Sequence, residues 1–271
     1  MNDHTIKAGR ISIVGAGPGA ADLITLRGLK SLREADAVFY DALISPELLA
    51  EAPAHAEKVY VGKRCGHHHV EQQQIIALII DRARQGKKVT RLKGGDPMIF
   101  GHGGEEAMAC IAAGIPFEII PGVCSALGAA SYAGIPLTHR GWASSVAFVT
   151  AHGAKCSESP DLSWLPLAKT ADTLIIFMGG SWLQPICDAL ISDGLAAATP
   201  VAVISHATCE NQQTVIGSLE SIAERVAEVG LSTPVLIVVG EVAQFSAQLN
   251  WFERDRTSLC YSETLTSDRQ P

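Results

Sequence analysis

Charge and aromatic rings are both scarce: Asp, Glu, Lys and Arg make up 18% of the 271 residues, and Phe, Trp and Tyr 6%. Low charge beside 47% apolar residues excludes a disordered chain, and the length allows one large domain or two ordinary ones. There is no cationic excess. The 21 Lys and Arg against 28 Asp and Glu leave a formal charge of -7, which argues against a dedicated nucleic-acid binder. No apolar run reaches the roughly 18–20 residues that span a bilayer, so no membrane partner is expected. The stretch "MNDHTIKAGR" lacks the apolar core of a secretory signal, and a cytoplasmic protein is the expectation. Seven cysteines, an odd number, include no C-x-x-C pair, which reads as reduced thiols rather than a disulfide framework. "CGHHH" (Cys65–His69) offers metal-ligand types, but they are adjacent and no second cluster at zinc-site spacing completes them. A polar loop is the simpler reading, and no metal is expected. No solenoid-type repeat is present.

What the chain does contain is an alternation of short β-branched runs with helical patterns, the signature of an α/β sheet with crossover helices. Strands are predicted at Arg10–Val14, Ala37–Tyr40, Lys58–Val61, Lys88–Leu92 and Phe117–Ile120. A second series follows at Val146–Ala151, Leu174–Met178, Val201–Ser205, Thr214–Ile216 and Val235–Val239. Helices are predicted at Glu71–Arg84, Trp182–Asp193 and Leu219–Val229, from apolar spacing along one face. Two helices end alike in "AGIP", with Gly just past the helix and Pro soon after. These runs predict a two-domain α/β protein with a boundary near "LTHRG" (Leu137–Gly141): residues 1–139, residues 140–249, and a polar, flexible tail over 250–271.

"ISIVGAGPGAADLITLRG" (Ile11–Gly28) satisfies the dinucleotide fingerprint through Gly15, Gly17 and Ala20, and Asp41 lies where a ribose-binding acid belongs. That fold needs its helix to start within the glycine turn, so that the helix N-terminus meets the pyrophosphate. Here the spacing of Leu26, Leu29 and Leu32 starts the helix near Thr25, several residues late. Two further glycine loops follow predicted strands: "RLKGGDPMIFGHGGEE" (Arg91–Glu106) and "PGVCSALGAASYAG" (Pro121–Gly134). Three such loops in one domain favour a nucleoside-type ligand at the strands' C-terminal ends, with tight turns and close helix packing as the plainer alternative.

The ordered series "VGAGPGAADLITLRG", "YDALIS", "YVGKRCGHH", "RLKGGDPMIFGHGGEE", "PGVCSALGAASYAGIPLTHR" and "PVLIVVG" resembles the uroporphyrinogen-III C-methyltransferases, within the tetrapyrrole (precorrin) methylase family. The resemblance runs from about Ile11 to Gln244. It implies a fold of two α/β domains, with mixed sheets flanked by helices and the ligand cleft between the domains. It also implies a homodimer and S-adenosyl-methionine as methyl donor, with S-adenosyl-homocysteine as product. Uroporphyrinogen III would be methylated twice, through precorrin-1 to precorrin-2, the precursor of siroheme, cobalamin or d-type haem. These 271 residues show no further domain to oxidise precorrin-2 or insert iron, so the expected reaction stops at methylation. Another precorrin methylase, a fold relative acting on RNA or diphthine, a dinucleotide-dependent oxidoreductase and a silent binding module are the alternatives.

On the matching motifs, the resemblance places Pro18, Gly94, Gly95, Asp96, Ile99, Cys124, Ser125, Met178 and Ala207 at the donor. Asp41 and Lys63 fall on the positions of proton acceptor and donor, and Glu105 and Arg140 on positions linked to substrate. Glu105 is the other carboxylate able to take the proton. The substrate's eight carboxylates call for local cations, for which Lys63, Arg64, Arg91, Lys93 and Arg140 are the candidates. Two positions depart from the family pattern. His102 stands in "FGHG" where "FGRG" is usual, and a histidine is shorter and only partly charged near neutrality. Weaker binding of substrate carboxylates, or a pH-dependent Michaelis constant, is the expected consequence. Cys124 replaces a threonine, and a thiol is the poorer hydrogen-bond partner.

Overall fold

The computed structural model describes residues 9–62, 72–151 and 159–253, which divide into two compact units between Ser125 and Ala126. The first unit alternates strand and helix: β1 (Arg10–Gly15), α1 (Leu26–Arg33), β2 (Ala37–Tyr40), α2 (Pro46–Ala50), β3 (Glu57–Tyr60), α3 (Gln72–Arg84), β4 (Lys88–Lys93), α4 (Gly103–Ala113) and β5 (Phe117–Ile120). Its strands lie in the order β3-β2-β4-β1-β5, and every neighbouring pair is parallel. Crossover helices bury a parallel sheet on both faces. Ile11, Ile13 and Phe39 point one way, onto Ile75 and Ile79 of α3 and Ala107 and Cys110 of α4. Val14, Val38 and Leu92 point the other way, onto Leu32 of α1 and Leu48 of α2. Each fully buried side chain of this size contributes roughly 1.5–3 kcal/mol, so the sheet is a firm platform for its loops.

Neighbouring strands β1 and β4 send their chains to opposite faces, β1 into α1 and β4 into α4. The crevice at their C-terminal ends is where an open α/β sheet takes a ligand. The expected N-cap is in place: the Thr25 side chain accepts a hydrogen bond from the Gly28 N–H at 3.1 Å, and α1 begins at Leu26. Both "AGIP" stops are left-handed, with φ of 68° at Gly114 and 67° at Gly134, as a helix C-terminal glycine should be.

The chain divides ahead of "LTHRG", within α5 (Ser125–Tyr132), most of which belongs to the second unit. The reason is local. The Ala133 carbonyl accepts from Ser246 Oγ at 2.6 Å, and the Ser131 carbonyl from Trp251 Nε1 at 3.0 Å. The unit continues with β6 (Val146–Thr150), β7 (Thr173–Phe177), α6 (Leu183–Ser192), β8 (Pro200–Ser205), β9 (Gln213–Ser218), α7 (Ile222–Val229), β10 (Val235–Val239) and α8 (Ser246–Leu249). Its strand order is β6-β7-β10-β8-β9; β6 and β7 are parallel and the other pairs antiparallel. The mixed character expected of both sheets therefore belongs to this one alone. Its core sets Leu174, Ile176, Val201, Val203 and Ile237 against Ile186 and Leu190 of α6 and Ile222 of α7. Trp251–Glu253, expected in a loose tail, are packed instead: the Trp251 ring lies 5.1 Å from that of Tyr132, and Glu253 accepts from Thr214 Oγ1 at 2.7 Å. No helix among the described residues is long and apolar enough to cross a membrane.

Candidate functional site

Three loops meet at the C-terminal ends of β1, β4 and β5, and they meet through backbone. Gly17 and Gly95 form an antiparallel bridge, with N–H to carbonyl distances of 3.2 and 2.7 Å, and the Ala16 N–H donates to the Lys93 carbonyl at 2.8 Å. A Cβ on Gly15 would stand 2.5 Å from the Gly122 nitrogen and 2.7 Å from the Gly95 oxygen, so only glycine allows this approach. Asp96 clamps the second loop to the third: Oδ1 accepts from the Met98 N–H at 2.8 Å and Oδ2 from the Gly122 N–H at 3.0 Å. Ser125 Oγ lies beneath Gly95, and Cys124 beside it is buried. Gly94 is the open member of the set; among the described residues a Cβ there would meet only the Leu43 side chain, at 3.6 Å. Around it stand Leu43, Met98, Ile99 and Phe100, all exposed apolar side chains, and Pro18 is half-buried in the first loop.

This geometry corrects the dinucleotide reading. A short 3-10 turn, Ala21–Leu23, separates the glycines from α1, and a Cβ on Gly17 would lie 3.0 Å from the Leu23 carbonyl oxygen. The chain folds back over the glycine turn, so the helix N-terminus is not presented to a pyrophosphate there.

Below the loops, on the α3–α4 side, lies a buried ionic cluster. Arg91 and Lys93 point inward from β4 to Glu106 of α4, each 3.0 Å from its Oε1, which also accepts from Gln72 Nε2 at 3.1 Å. The remaining guanidinium nitrogens of Arg91 reach the Phe39 and Leu92 carbonyls and, at 2.5 Å, Asp41 Oδ1. Burial, reinforced by the charge of Arg91, pushes the Lys93 ammonium below its ordinary value, with Glu106 and Asp41 opposing. Burial and Glu106 push the Cys110 thiol up to about 11, which leaves it protonated and inert at neutral pH. Arg91 and Lys93, expected as cations for substrate carboxylates, are instead held by internal carboxylates. Among the described residues, Asp41, 29% exposed, is the carboxylate of the cluster that opens to solvent, and Gln72 at its other edge is also partly exposed.

Glu105 is exposed and pairs with His102, whose Nδ1 lies 2.9 Å from Oε1. Its neighbour Glu106, which sequence reasoning did not single out, is the buried one. The signal was present: Glu106, Ala107 and Cys110 share one helical face, and all three are buried. Lys63 and Arg64 lie outside the described residues. In the second unit, Met178 follows β7 and is exposed, and Ala207 lies in the turn after β8. That turn is braced by the Thr208 N–H donating to Gln212 Oε1 at 2.7 Å, and by Gln212 Nε2 to Glu253 Oε1 at 3.3 Å. Arg140 is exposed in the turn that the His139–Ala143 bridge closes.

Backbone strain concentrates in the same kind of place. Positive φ in residues other than glycine occurs at Phe100, His102, Met178, His206 and Thr208, all in loops that follow strands. Such conformations cost of order 1–3 kcal/mol each and cluster at binding sites. By contrast, a surface depression of about 460 Å³ beside the start of β1 is lined by Arg10, Arg27, Glu34 and Glu118. Its two arginines are paired with its two glutamates.

Comparison with known proteins matches residues 10–223 to the tetrapyrrole (corrin/porphyrin) methylases. The siroheme synthase of Chromobacterium violaceum is 48% identical over 252 residues, 93% of this chain and 53% of that one. That of Zymomonas mobilis is 49% identical over 249 residues, 91% of this chain and 51% of that one. The chain spans about half the length of these relatives. Among solved structures, the uroporphyrin-III C-methyl transferase of Thermus thermophilus, complexed with S-adenosyl homocysteine, has a TM-score of 0.76 at 38% identity, covering 87% of this chain and 99% of that one. A cobalt precorrin-4 methyltransferase has a TM-score of 0.76 at 30% identity, covering 86% and 95%.

Proposed function

The chain belongs to the tetrapyrrole (corrin/porphyrin) methylases and is an S-adenosyl-methionine-dependent C-methyltransferase, and on that basis we propose that it methylates uroporphyrinogen III twice, through precorrin-1 to precorrin-2. The observation that carries the substrate assignment is the likeness to the Thermus thermophilus enzyme over 99% of that chain. The match to siroheme synthases at 48–49% identity over about half of their length supports a role in siroheme formation.

The glycine loops suit a nucleoside-type donor. At Gly94 the backbone is open to close approach, and the apolar side chains of Leu43, Met98, Ile99 and Phe100 stand beside it. Pro18, Gly94, Gly95, Ile99, Cys124 and Ser125 would line the donor, whereas Asp96 acts mainly by holding the loops. Met178 and Ala207 are carried as donor contacts on the resemblance alone.

When bound, the donor supplies an electrophilic methyl group that a nucleophilic pyrrole carbon takes as the carbon–sulfur bond breaks, leaving S-adenosyl-homocysteine. The chain's own work is to hold the macrocycle so that carbon, methyl and sulfur lie in line. The methylated ring is cationic until it loses a proton, and Asp41 is the carboxylate we assign as acceptor. Asp41 Oδ1 is engaged by Arg91, which leaves Oδ2 for the proton. His102, Arg64 and Arg140 are proposed for the substrate carboxylates, and Lys63 as proton donor. Glu105, exposed beside His102, orients that histidine and is the alternative acceptor. A homodimer is proposed with this reading, to be read by sedimentation.

Incubation with uroporphyrinogen III and labelled donor, followed by mass measurement, tests the proposal. A product carrying two added methyl groups is expected. An unmethylated substrate, or one that stops at a single methyl with donor in excess, would sink it.

A further inference from the structure

We infer that Glu106 is a positioning residue: acting through Arg91, it fixes the carboxylate of Asp41 in the orientation that takes the proton. The inference rests on the reading of Asp41 as proton acceptor.

Three observations carry it. The first is where the charge lies. Arg91 sits in register between Ile13 on β1 and Phe39 on β2, both fully buried, so an apolar side chain would suit the position. A buried ion pair seldom stabilises more than well-packed apolar residues of the same volume, so stability alone does not account for the charge. The second is how completely Arg91 is held. Nε goes to Glu106, Nη1 to the Phe39 and Leu92 carbonyls, and Nη2 to Asp41 Oδ1. Three of those four acceptors belong to the packed interior, so the planar fork presents Nη2 from a fixed frame, which a lysine cannot do. The third is the asymmetry of the cluster. Of its two carboxylates Glu106 is wholly buried, and Asp41 is the one that reaches solvent, at the C-terminal end of β2 beside the glycine loops. The chain of contacts runs from Glu106 through Arg91 to the carboxylate of this cluster that is open to solvent.

Glu106 Oε1 takes all three donors, while Oε2 has no hydrogen-bond partner among the described residues. Glu106→Gln therefore keeps the shape and the accepting oxygen and removes the charge. Arg91 and Lys93 are then left with Asp41 as their only carboxylate among the described residues, and Asp41 is drawn inward, away from substrate.

The test is a double-mutant cycle on kcat in the full chain, using Asp41→Asn, Glu106→Gln and the pair, with uroporphyrinogen III as substrate and S-adenosyl-homocysteine affinity measured alongside. Asp41→Asn is expected to lower kcat by about 100-fold, within the usual range for a positioned acid–base group. Glu106→Gln is expected to lower it about tenfold alone and by less than about twofold in the Asp41→Asn background, with KM and homocysteine affinity unchanged. The same fractional loss in both backgrounds, or a loss that follows donor affinity, would make Glu106 merely structural and overturn the inference. Parent-like turnover by Asp41→Asn would instead overturn the reading of Asp41. Should Glu106→Gln not fold, Arg91→Lys, which keeps the charge and loses the fork, enters the same cycle with the same deciding outcomes.

Discussion

Adding one methyl group at Gly15 should weaken the proposed donor site, by an amount that its backbone contacts set. A Cβ there would lie 2.5 Å from the Gly122 nitrogen, 2.6 Å from its Cα and 2.7 Å from the Gly95 oxygen, all backbone atoms of the other two loops. Relaxing those contacts moves both loops by roughly 0.5–1 Å, and such overpacking costs typically 1–3 kcal/mol. Against this stands about 0.4–1 kcal/mol gained from a stiffer unfolded chain, which leaves a net loss of roughly 1–2 kcal/mol. The melting temperature should then fall by roughly 3–6 °C in calorimetry. The same retreat stretches the 3.0 Å bond from the Gly122 N–H to Asp96 Oδ2 and loosens the Gly17–Gly95 bridge. Affinity for S-adenosyl-homocysteine should fall at least about tenfold, equivalent to about 1.4 kcal/mol. Gly104→Ala is the matched control: among the described residues nothing lies within 4 Å of a Cβ in the first turn of α4, so this variant should gain about 0.5–1 kcal/mol and bind the donor as before. If Gly15→Ala binds S-adenosyl-homocysteine with parent affinity, the backbone floor is not what holds the donor.

In the second unit, Asp172 accepts hydrogen bonds from the N–H and Oγ of both Ser144 and Ser145, which hold its carboxyl down from 3.8 to about 2. A folded value below the unfolded one means stability that is fully present above about pH 4 and lost as pH falls through about 2. Asp172→Asn should therefore melt below the parent at pH 7, with the gap closing over that acid window; a gap independent of pH refutes the assignment. His102→Arg should lower KM for the octacarboxylate substrate by about threefold to tenfold, as one stronger charge-assisted hydrogen bond would, with kcat and S-adenosyl-homocysteine affinity unchanged. An unaltered KM would remove His102 from the substrate site.

The strands were legible because they are short apolar runs set between helical patterns and turn residues. Ala37–Tyr40 and Phe117–Ile120 of the first sheet and Val235–Val239 of the second have the predicted bounds. The late start of α1 was legible from a single threonine. Less accessible was α4, where the usual pattern is inverted: Met108 and Ile111 are 66% and 60% exposed, while Glu106 is wholly buried. A reader who follows hydrophobicity turns that helix the wrong way, because burial of Glu106 depends on two cations fifteen and thirteen residues earlier on β4. The packing of Trp251–Glu253 was hidden for a similar reason, since a short polar segment has no period of its own and is placed by partners at Ser131, Gln212 and Thr214.

Strand β4 serves both halves of the site, and its alternation keeps them apart. The Arg91 and Lys93 side chains enter the ionic cluster, while the chain continues through Gly94 and Gly95 into the loop proposed for the donor. The β4 backbone is laddered to β1 along its whole length and to β2 over most of it, and the Lys93 carbonyl receives the Ala16 N–H that ties the first loop down. A charge removed at Glu106 therefore acts on side chains whose backbone is already fixed by hydrogen bonds on both sides. A methyl added at Gly15 acts on the backbone itself. That division is why the first change should alter turnover with donor affinity intact, and why the second should lose donor affinity.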